Sequence, residues 1–547
     1  MFYSSAKEMA KADGVICVAD SATLKMSPVD VSGSASVVVL SNATVIVDAS
    51  SSDAEVGDSL TLAGVTLADG VAVEDVTLQV GGLPYTWSTA VVDGSIVITA
   101  TGTADGASRW VGGASGNWSD AINWSKGVPS DSLAALIDTD ATIYIDANKT
   151  VSSITINANV LFRKSAGDPI IYIHDVDGTG TLGLYHVGFQ GNGGDKRIGS
   201  ATGNELTLEF VSTTSDGSDS WLTDVSVYAS MTGAGYARLY GDTRLYGDNS
   251  GFTGVVRKDD VDCRFMTPES GFPNANKIEI YGTLWLWFDE GTFYLGGNVS
   301  MRSSGNRGIN MPVGAATSEN GVTLVLGGGD GTVTLHEESG KNPYQFYTNE
   351  SSWTPGCLNA TVRKIGTGTM TCRITGAYNF SAEGGTTVFT LDNADANVSV
   401  AAGAVISGNV TLGTVAFAPE AILAPTVTYT AAVPAVEDDP ATEADESVAE
   451  VPASWTVSTL TATEASVQDM IVRLNDDSKA ALANIPGERP LVLSASTLNG
   501  KPNRVAQDTN GDSIAADGSN IWLVRRGASG VTLTAGRQNP GFMIIVQ

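Results

Sequence analysis

Hydrophobic and polar residues alternate along most of this chain with a period of two. Between Ala35 and Ala100 this gives segments such as ASVVVLSNATVIVDA and VVDGSIVITATG, in which Gly, Asn or Asp interrupts runs of β-branched residues. Similar segments follow at quasi-regular intervals, for example ATIYIDA, PIIYIHD and GVTLVLGGGDGTVTLH. Helical periodicity is nearly absent, and its clearest candidate covers residues 465–485. The pattern therefore predicts an all-β protein.

Strand segments recur between residues 108 and 430 without an obvious break, and they share a loose repeat of the form G-T/N-V/L-x-V/L. Many short strands are compatible with sandwiches, barrels or a parallel β-helix. The long uninterrupted series favours the parallel β-helix, because each rung of a solenoid buries its inward residues against the next rung. We therefore predict a β-solenoid with flanking β-rich terminal modules.

The pattern divides the chain into four parts. We predict an N-terminal β-rich module over residues 1–107, the β-helix over 108–430, an acidic Pro/Ala linker or loop over 431–454, and a C-terminal β-rich module or terminal rungs over 455–547. The linker contains Pro, Ala and acidic residues without an aromatic side chain near its centre, so it cannot bury enough apolar surface to order itself. Whether the terminal modules continue the helix stays open at this point.

Net charge narrows the choice of partners. Asp and Glu number 60 against 30 for Lys and Arg, which gives a formal net charge of −30. Such a field repels nucleic acid and anionic membrane surfaces, so neither is expected as a partner. No stretch approaches the ~20 apolar residues of a membrane-spanning helix. The first residues lack the basic region and apolar core of a secretory signal, and the composition fits a mature or internal portion of an exported chain.

Residues for nucleophilic and metal chemistry are scarce. The chain has four cysteines and three histidines, namely Cys17, Cys263, Cys357, Cys372, His174, His186 and His336. They form no CxxC pair and no histidine pair at metal-ligand spacing, so we expect no zinc site, no Ser–His–Asp hydrolase and no cofactor. For Cys357 and Cys372 the sequence leaves two alternatives, a disulfide between neighbouring strands or two buried thiols.

Residues 364–425 resemble the autotransporter-associated β-strand repeat. That repeat runs G-x-G-T-L-x-L-x-G, then N-x-(Y/F)-x-G-G-T-x-V, and closes with a Gly-rich stretch ending in A-x-L-(A/S)-P. The matching positions here are Gly366, Gly368, Thr369, Gly376, Asn379, Phe380, Gly384, Gly385, Thr386, Gly403, Gly408 and Pro425. The resemblance implies a right-handed parallel β-helix that is exported and either displayed at a bacterial cell surface or shed, and it implies no catalytic residues.

The segment WVGGASGNWSDAINWSKGVP, residues 110–129, resembles an element that often precedes such repeats in large bacterial surface proteins. Its matching positions are Trp110, Gly116, Asn117, Trp118, Asp120, Asn123, Trp124, Gly127 and Pro129. One interpretation is an aromatic platform for sugar rings. The favoured interpretation is a cap made by Trp110, Trp118 and Trp124, because an open end of a β-helix exposes strand edges that bulky side chains can close.

The segment IEIYGTLWLWFDEGTFYLGG, residues 278–297, is the better candidate for ligand binding. By alternation Ile278, Ile280, Leu284, Leu286 and Phe288 face one way, and the aromatic side chains Tyr281, Trp285 and Trp287 face the other way among Glu279, Thr283 and Asp289. Such an outward stripe could stack on saccharide rings or pack against another subunit. A covering loop or domain is the alternative.

Two acidic segments are candidates for a catalytic site or a metal site. RKDDVDCRF offers Arg257, Lys258, Asp259, Asp260, Asp262 and Arg264, in which a carboxylate pair could act as acid and base. DTNGDSIAAD offers Asp508, Asn510, Asp512 and Asp517 at the alternating positions of a calcium loop. It lacks the Gly at the sixth place and the bidentate Glu at the twelfth place of an EF-hand loop, so a solvated turn is the favoured interpretation and no metal is expected.

These patterns favour a structural or adhesive function. We expect an extracellular or cell-surface β-solenoid that presents an acidic, aromatic-striped face to glycan, to extracellular matrix or to other copies of itself. The alternative is a polysaccharide-active β-helix enzyme, a lyase or a glycoside hydrolase. An enzyme would place paired carboxylates and a basic residue in a groove, whereas a structural module would show aromatic residues and turns without converging ionisable groups.

Overall fold

The computed structural model covers the chain as two compact units, Met1–Gly254 and Val255–Gln547. It describes residues 15–18, 22–27, 36–49, 52–83, 85–103, 106–193, 196–202, 205–212, 219–259, 263–302, 309–311, 321–336, 344–348, 354–355, 360–376, 378–434, 451–485, 487–516 and 520–537. The boundaries predicted after residues 107 and 430 fall inside these units.

The described residues of the first unit form strands and two short 3-10 helices, Val73–Asp75 and Ala121–Asn123. Its strands are β1 Val15–Val18, β2 Thr23–Met26, β3 Ser36–Val39, β4 Thr44–Asp48, β5 Ser59–Leu62, β6 Val65–Leu67, β7 Thr77–Gly81, β8 Tyr85–Val92, β9 Ser95–Thr103, β10 Ser108–Arg109, β11 Ser115–Asn117, β12 Ala135–Ile137, β13 Ala141–Ile145, β14 Lys149–Ile156, β15 Asn159–Lys164, β16 Ile170–Gly178, β17 Thr181–Tyr185, β18 Gly188–Gly191, β19 Arg197–Ile198, β20 Thr207–Phe210, β21 Ser220–Thr223, β22 Ser226–Val227, β23 Ser230–Thr232, β24 Tyr236–Tyr240 and β25 Arg244–Leu245.

Parallel pairing begins near the start of the first unit. Strands β1-β3-β6 form one parallel sheet and β2-β4-β7 another, whereas β5-β9-β8 is antiparallel. These sheets enclose a core of alternating aliphatic residues such as Val37, Val45 and Ile96. The predicted N-terminal module therefore already contains parallel layers.

Two further parallel sheets make up the rest of the first unit. The order is β11-β13-β15-β17-β20-β23 in one, and β10-β12-β14-β16 followed by the pairs β18/β19, β21/β22 and β24/β25 in the other. Strand Ala141–Ile145 shows why these residues form strands, because Ala141, Ile143 and Ile145 are buried while Thr142 and Tyr144 are partly exposed. The period-two pattern thus places one face of each strand in the core.

The second unit continues with strands and a 3-10 helix, Pro268–Ser270. Its strands are β26 Val255–Lys258, β27 Arg264–Phe265, β28 Lys277–Tyr281, β29 Leu284–Leu286, β30 Gly291–Leu295, β31 Asn298–Arg302, β32 Ile309–Met311, β33 Val322–Leu326, β34 Val333–His336, β35 Tyr344–Thr348, β36 Thr354–Pro355, β37 Thr361–Lys364, β38 Thr369–Cys372, β39 Ile374–Thr375, β40 Tyr378–Ala382, β41 Thr386–Phe389, β42 Asn393–Val400, β43 Val405–Ser407, β44 Thr411–Phe417, β45 Ile422–Leu423, β46 Val427–Thr430, β47 Ser454–Val457, β48 Leu460–Ser466, β49 Ile471–Val472, β50 Leu491–Asn499, β51 Ile521–Arg526 and β52 Gly530–Gly536.

Parallel stacking also dominates the second unit. One sheet runs β30-β33-β37-β40-β42-β44-β48-β50 and then ends in the antiparallel strands β52 and β51. A second sheet leads from β26 through β28, β31, β34, β38, β41, β43 and β45 to β49. The chain is therefore all-β with large parallel, solenoid-like sheets, and residues 460–499 continue them.

The structure describes only part of the predicted linker and corrects the extent of the predicted helix. Strands β46 and β47 pair antiparallel, so residues 427–430 lie beside residues 454–457, and residues 435–450 of the predicted linker lie outside the described part. The helix predicted over 465–485 is wrong in extent, because the structure has an α-helix only over Asp476–Leu482. The first part of that segment belongs to β48 and β49, where pairing with neighbouring strands overrides its mixed periodicity.

A column of glycines marks one line of turns in the second unit. A Cβ atom added to Gly331 would meet the carbonyl oxygen of Gly297, one on Gly368 would meet that of Gly331, and one on Gly385 would meet that of Gly368. Only glycine lets successive turns approach this closely. Two of the glycines in the G-x-G-T and G-G-T patterns, Gly368 and Gly385, thus have a steric explanation.

Candidate functional site

The tryptophans of the segment 110–129 pack on one another inside the first unit. Trp110 is 2% exposed, and Trp118 and Trp124 are fully buried. The ring of Trp124 lies edge-on to both others, at centroid distances of 5.1 Å and 4.8 Å. The indole nitrogen of Trp124 donates a hydrogen bond to the carbonyl of Trp118 at 2.8 Å. Buried rings that contact each other cannot offer a platform to a sugar.

A buried asparagine organises the same segment. Asn123 donates from Nδ2 to the Asn117 carbonyl at 2.8 Å and accepts from the Lys25 ammonium at 2.6 Å. A Cβ atom at Gly112 or Gly116 would lie within 3 Å of the Asn123 amide, so both positions require glycine. Burial lowers the pKa of Lys25, and the nearby Asp120 opposes this shift. The spacing of Gly, Asn and Trp in this segment therefore encodes local packing.

Strands contact the tryptophan segment on two sides. The backbone N–H of Gly82, which follows β7, donates to the Trp124 carbonyl at 3.0 Å. The N–H of Trp118 donates to the carbonyl of Tyr144 in β13 at 2.9 Å, and its ring meets Phe162 of β15 edge-on at 5.6 Å. The predicted cap thus lies between β7 and the later strands, because the parallel layers start earlier in the chain than the sequence pattern indicated.

Arginines flank the first aromatic residue of the predicted stripe. The register pairs Arg257 with Glu279 and Tyr281 with Arg302 on successive strands. The guanidinium groups of Arg257 and Arg302 lie 4.7 Å and 5.5 Å from the centroid of the Tyr281 ring. Stacked guanidinium and phenol groups attract each other electrostatically. Tyr281 therefore belongs to an outward row with arginines on both neighbouring strands.

The two tryptophans of the stripe share a third arginine. Arg264 pairs in register with Trp285, and its guanidinium lies 5.5 Å from the Trp285 centroid and 5.6 Å from that of Trp287. Trp285 is only 9% exposed, and Asn310, its register partner on the next strand, is fully buried. A flat exposed stripe was expected here, but the side chain of Trp285 is packed and Thr283 of the same predicted face is fully buried.

The acidic segment beside this row forms ion pairs. The Arg257 guanidinium donates to Asp259 at 2.6 Å while it covers the Tyr281 ring, and Lys258 is fully buried at the end of its strand. Asp260 and Asp262 lie outside the described residues. Four of the six residues of this segment are thus located: Arg257 and Arg264 stack on aromatic rings of the row, Asp259 pairs with Arg257, and Lys258 is buried.

The segment that starts at Asp508, considered above as a calcium loop and interpreted as a turn, is closed by its own backbone. Asp508 accepts hydrogen bonds at Oδ1 from the N–H groups of Asn510 and Asp512, and at Oδ2 from Lys479 at 3.2 Å. The hydrogen bond from Asp512 is the main cause of a lowered Asp508 pKa. Asp517 lies outside the described part. Across the described residues, no group of three or more His, Cys, Asp and Glu side chains could hold a metal ion.

A buried serine–histidine pair was not anticipated from the sequence. Ser212 Oγ and His186 Nε2 lie 3.0 Å apart, and the residues are 2% and 8% exposed. His186 has a left-handed backbone with φ of 56° and contacts the Tyr185 ring edge-on. Because both side chains are buried, the pair fixes the turn after β17 and does not face solvent. Ser212 and His186 lie far apart in the sequence, so no local pattern could have indicated their contact.

The second unit buries a cysteine thiol beside a phenol. Cys372 forms no disulfide among the described residues, which do not include Cys357, and its sulfur lies 3.7 Å from the Tyr378 hydroxyl. Burial raises the pKa of Cys372 to about 11 and raises that of Tyr378 well above its usual value. Both groups are therefore neutral in the folded protein at pH values where the unfolded chain would ionise.

This burial predicts loss of stability in alkali. Both pKa values are raised in the folded state, so their contribution is complete below about pH 9 and is lost as the pH rises through about 11 for the thiol. Between its unfolded-state pKa and its folded-state pKa, each group lowers the free energy of unfolding by about 1.4 kcal/mol per pH unit. Cys372→Ala should reduce the slope of unfolding free energy between pH 9 and 11, measured by urea titration under reducing conditions. The exposed Cys17→Ala is the control, and equal slopes for both variants would contradict the prediction.

The described residues include no helix that is both long and apolar enough to cross a membrane. Searches among protein families, curated proteins and solved structures find no match for this chain.

Proposed function

We propose that the chain is a right-handed parallel β-helix related to the autotransporter-associated repeat proteins, located outside the cell or on its surface. Its function is structural and adhesive, and it is not an enzyme. It presents rigid sheet faces to glycan, to extracellular matrix or to further copies of itself. The proposal adds handedness, family, location and activity to the parallel all-β fold described above.

Continuous parallel register supports the solenoid. Strand follows strand at fixed register, so outward residues of one strand lie directly beside those of the next, about 4.8 Å away. The glycine column Gly297, Gly331, Gly368 and Gly385 keeps one set of turns in line. A surface of this kind holds side chains at regular spacing without a thick core.

The row Arg257, Tyr281 and Arg302 is the single observation that carries the adhesive function. In a chain with a formal net charge of −30, it places two guanidinium groups on one aromatic ring. Because Arg257 is already paired with Asp259, Arg302 is the guanidinium group of this row that would bind a carboxylate or sulfate with two parallel hydrogen bonds, and the ring offers an apolar face. An acidic polysaccharide or an acidic surface of another copy fits this combination.

Arg302→Ala tests this function, because Arg302 is exposed and the substitution removes one of the two guanidinium groups that lie on the Tyr281 ring. Binding to immobilised polygalacturonate is expected to weaken by about tenfold, the effect of losing about 1.4 kcal/mol. Lys501→Ala is the matched control, since it removes one exposed positive charge from the same unit.

Two outcomes oppose the proposal. Equal binding by both variants and the native chain would remove the row from the adhesive surface. A reducing-sugar assay run on the same samples distinguishes the enzymatic alternative, and release of new reducing ends by the native chain would replace adhesion with polysaccharide cleavage.

A further inference from the structure

The outer face of the sheet β11-β13-β15-β17-β20-β23 in the first unit carries a groove of about 620 Å³. Its residues are Ala114, Asp140, Ala141, Thr142, Asn159, Val160, Leu161, Thr181, Gly183, Glu209 and Val211. The volume falls within the range of about 300–1,000 Å³ that is typical of small-ligand sites. The aromatic row described above belongs to the second unit, so this groove is a separate feature.

One of the outward rows that line the groove contains a glycine. Register aligns Thr142, Leu161, Gly183 and Glu209 on four neighbouring strands, and their inward neighbours such as Leu182 are fully buried. At Gly183 the groove runs over the backbone, and the methyl groups of Leu161 and Val211 lie 3.1 Å and 3.5 Å from where a Cβ atom would be. Gly183 has ordinary strand geometry, so the groove does not result from a turn.

Two further rows border this row, each two residues along the strands and so about 7 Å away. Asn159 and Thr181 pair in register on one side. On the other side Arg163 pairs with Tyr185 and stacks on its ring at 4.7 Å, and Val211 is exposed beyond them. The groove therefore has polar groups along one border and a mixed apolar and aromatic border along the other.

The lining selects the chemistry of the ligand. Leu161, Val211 and the backbone of Gly183 give an apolar floor, while the rim supplies carboxylate, amide and hydroxyl groups. Carboxylates accept hydrogen bonds, and hydroxyl and amide groups both donate and accept. Asp140 and Glu209 give the rim two carboxylates against the guanidinium of Arg163 in the bordering row, so this surface is net negative and disfavours an anionic ligand.

We propose that this groove binds a segment of an uncharged oligosaccharide that runs across the strands. A pyranose ring has apolar C–H faces for the floor and hydroxyl groups for the rim. Its repeat in an extended chain is similar in length to the spacing between neighbouring strands, about 4.8 Å, so consecutive sugars meet consecutive strands. The site goes beyond the adhesive row proposed above, which takes acidic ligands.

Two variants and one control test the site by calorimetry with a series of uncharged hexasaccharides of the gluco, manno and N-acetylglucosamine types. Glu209→Gln keeps the volume and is expected to weaken binding by about tenfold or more, because a hydrogen bond to a charged acceptor is lost. Gly183→Val fills the groove and is expected to abolish binding. Its Cβ atom would lie 3.1 Å from Leu161 Cδ1, a flexible methyl group, so the strand can accept it. Glu464→Gln, at an exposed glutamate of strand β48 in the second unit, should bind as the native chain does.

Several results would overturn the assignment. These are no binding of any hexasaccharide by the native chain, unchanged binding by Glu209→Gln and Gly183→Val, or capture of oligolysine in place of the sugars. Failure here is distinguishable from failure of the proposed adhesive function, because Arg302→Ala should leave hexasaccharide binding intact and Gly183→Val should leave polygalacturonate binding intact.

Discussion

Replacing Trp124 with alanine is expected to lower the free energy of unfolding of the first unit by about 3–5 kcal/mol. Trp124 is fully buried, its ring contacts both Trp110 and Trp118, and its indole N–H donates to the Trp118 carbonyl. Alanine would leave a large cavity beside an unpaired carbonyl. The contacts of this segment with Gly82 and Tyr144 would then be held by backbone hydrogen bonds alone.

Hydrogen exchange of the amides in β11, β13 and β15 measures this effect in the right place, since stacked folds open locally. Trp455→Ala is the matched control. Trp455 is half-buried on the hairpin strand β47 opposite Tyr429, where a cross-strand pair contributes about 0.2–1 kcal/mol. Trp124→Phe should fall between the native chain and alanine. If Trp124→Ala cost no more than Trp455→Ala, the tryptophan cluster would not be the structural centre of this segment.

Gly385→Ala is expected to destabilise the second unit by about 2–5 kcal/mol, the sum of about 1–2 for a left-handed residue and about 1–3 for overpacking. Gly385 has φ of 60°, and an added Cβ atom would meet the carbonyl oxygens of Gly368 and Thr367. Backbone atoms of the preceding turn cannot move aside as a flexible side chain can. The substitution should therefore disturb both turns.

Gly403→Ala separates the two causes. Gly403 also has a left-handed backbone, with φ of 76°, but nothing lies within 4 Å of an added Cβ atom. Its cost should be only about 1–2 kcal/mol. Urea unfolding and hydrogen exchange of β38 and β41 compare the two variants, and equal costs would show that the glycine column is not sterically required.

The strand periodicity was predictable from the sequence because it is a local property. Residues such as Ile143 and Ile145 alternate with Thr142 and Tyr144, and burial follows this alternation. Glycine positions in the repeat were equally visible, since Gly368 and Gly385 lie within short motifs. The helix predicted over residues 465–485 was wrong in extent because non-local contacts decide its first part. Pairing of β48 with β44 and β50 outweighs a weak local preference for helix.

Contacts between distant residues could not be predicted from the sequence. Lys25 reaches Asn123, and Ser212 meets His186, across intervals that no local pattern marks. The arginines beside Tyr281 were missed because the rungs differ in length, so the spacing from Arg257 to Tyr281 does not repeat from Tyr281 to Arg302. An outward-facing position on each strand was the available signal, but it does not identify the neighbour.

Some features of this protein depend on adjacent residues alone, and others depend on its tertiary structure. The sequence by itself determined the all-β class, the two-residue alternation and the turns that need glycine, because each depends on a few adjacent residues. The tertiary structure alone decided which side chains become neighbours, among them Arg302 on Tyr281, and Leu161 and Glu209 on either side of Gly183. Register sets those neighbours, and register depends on the length and path of every loop between the strands.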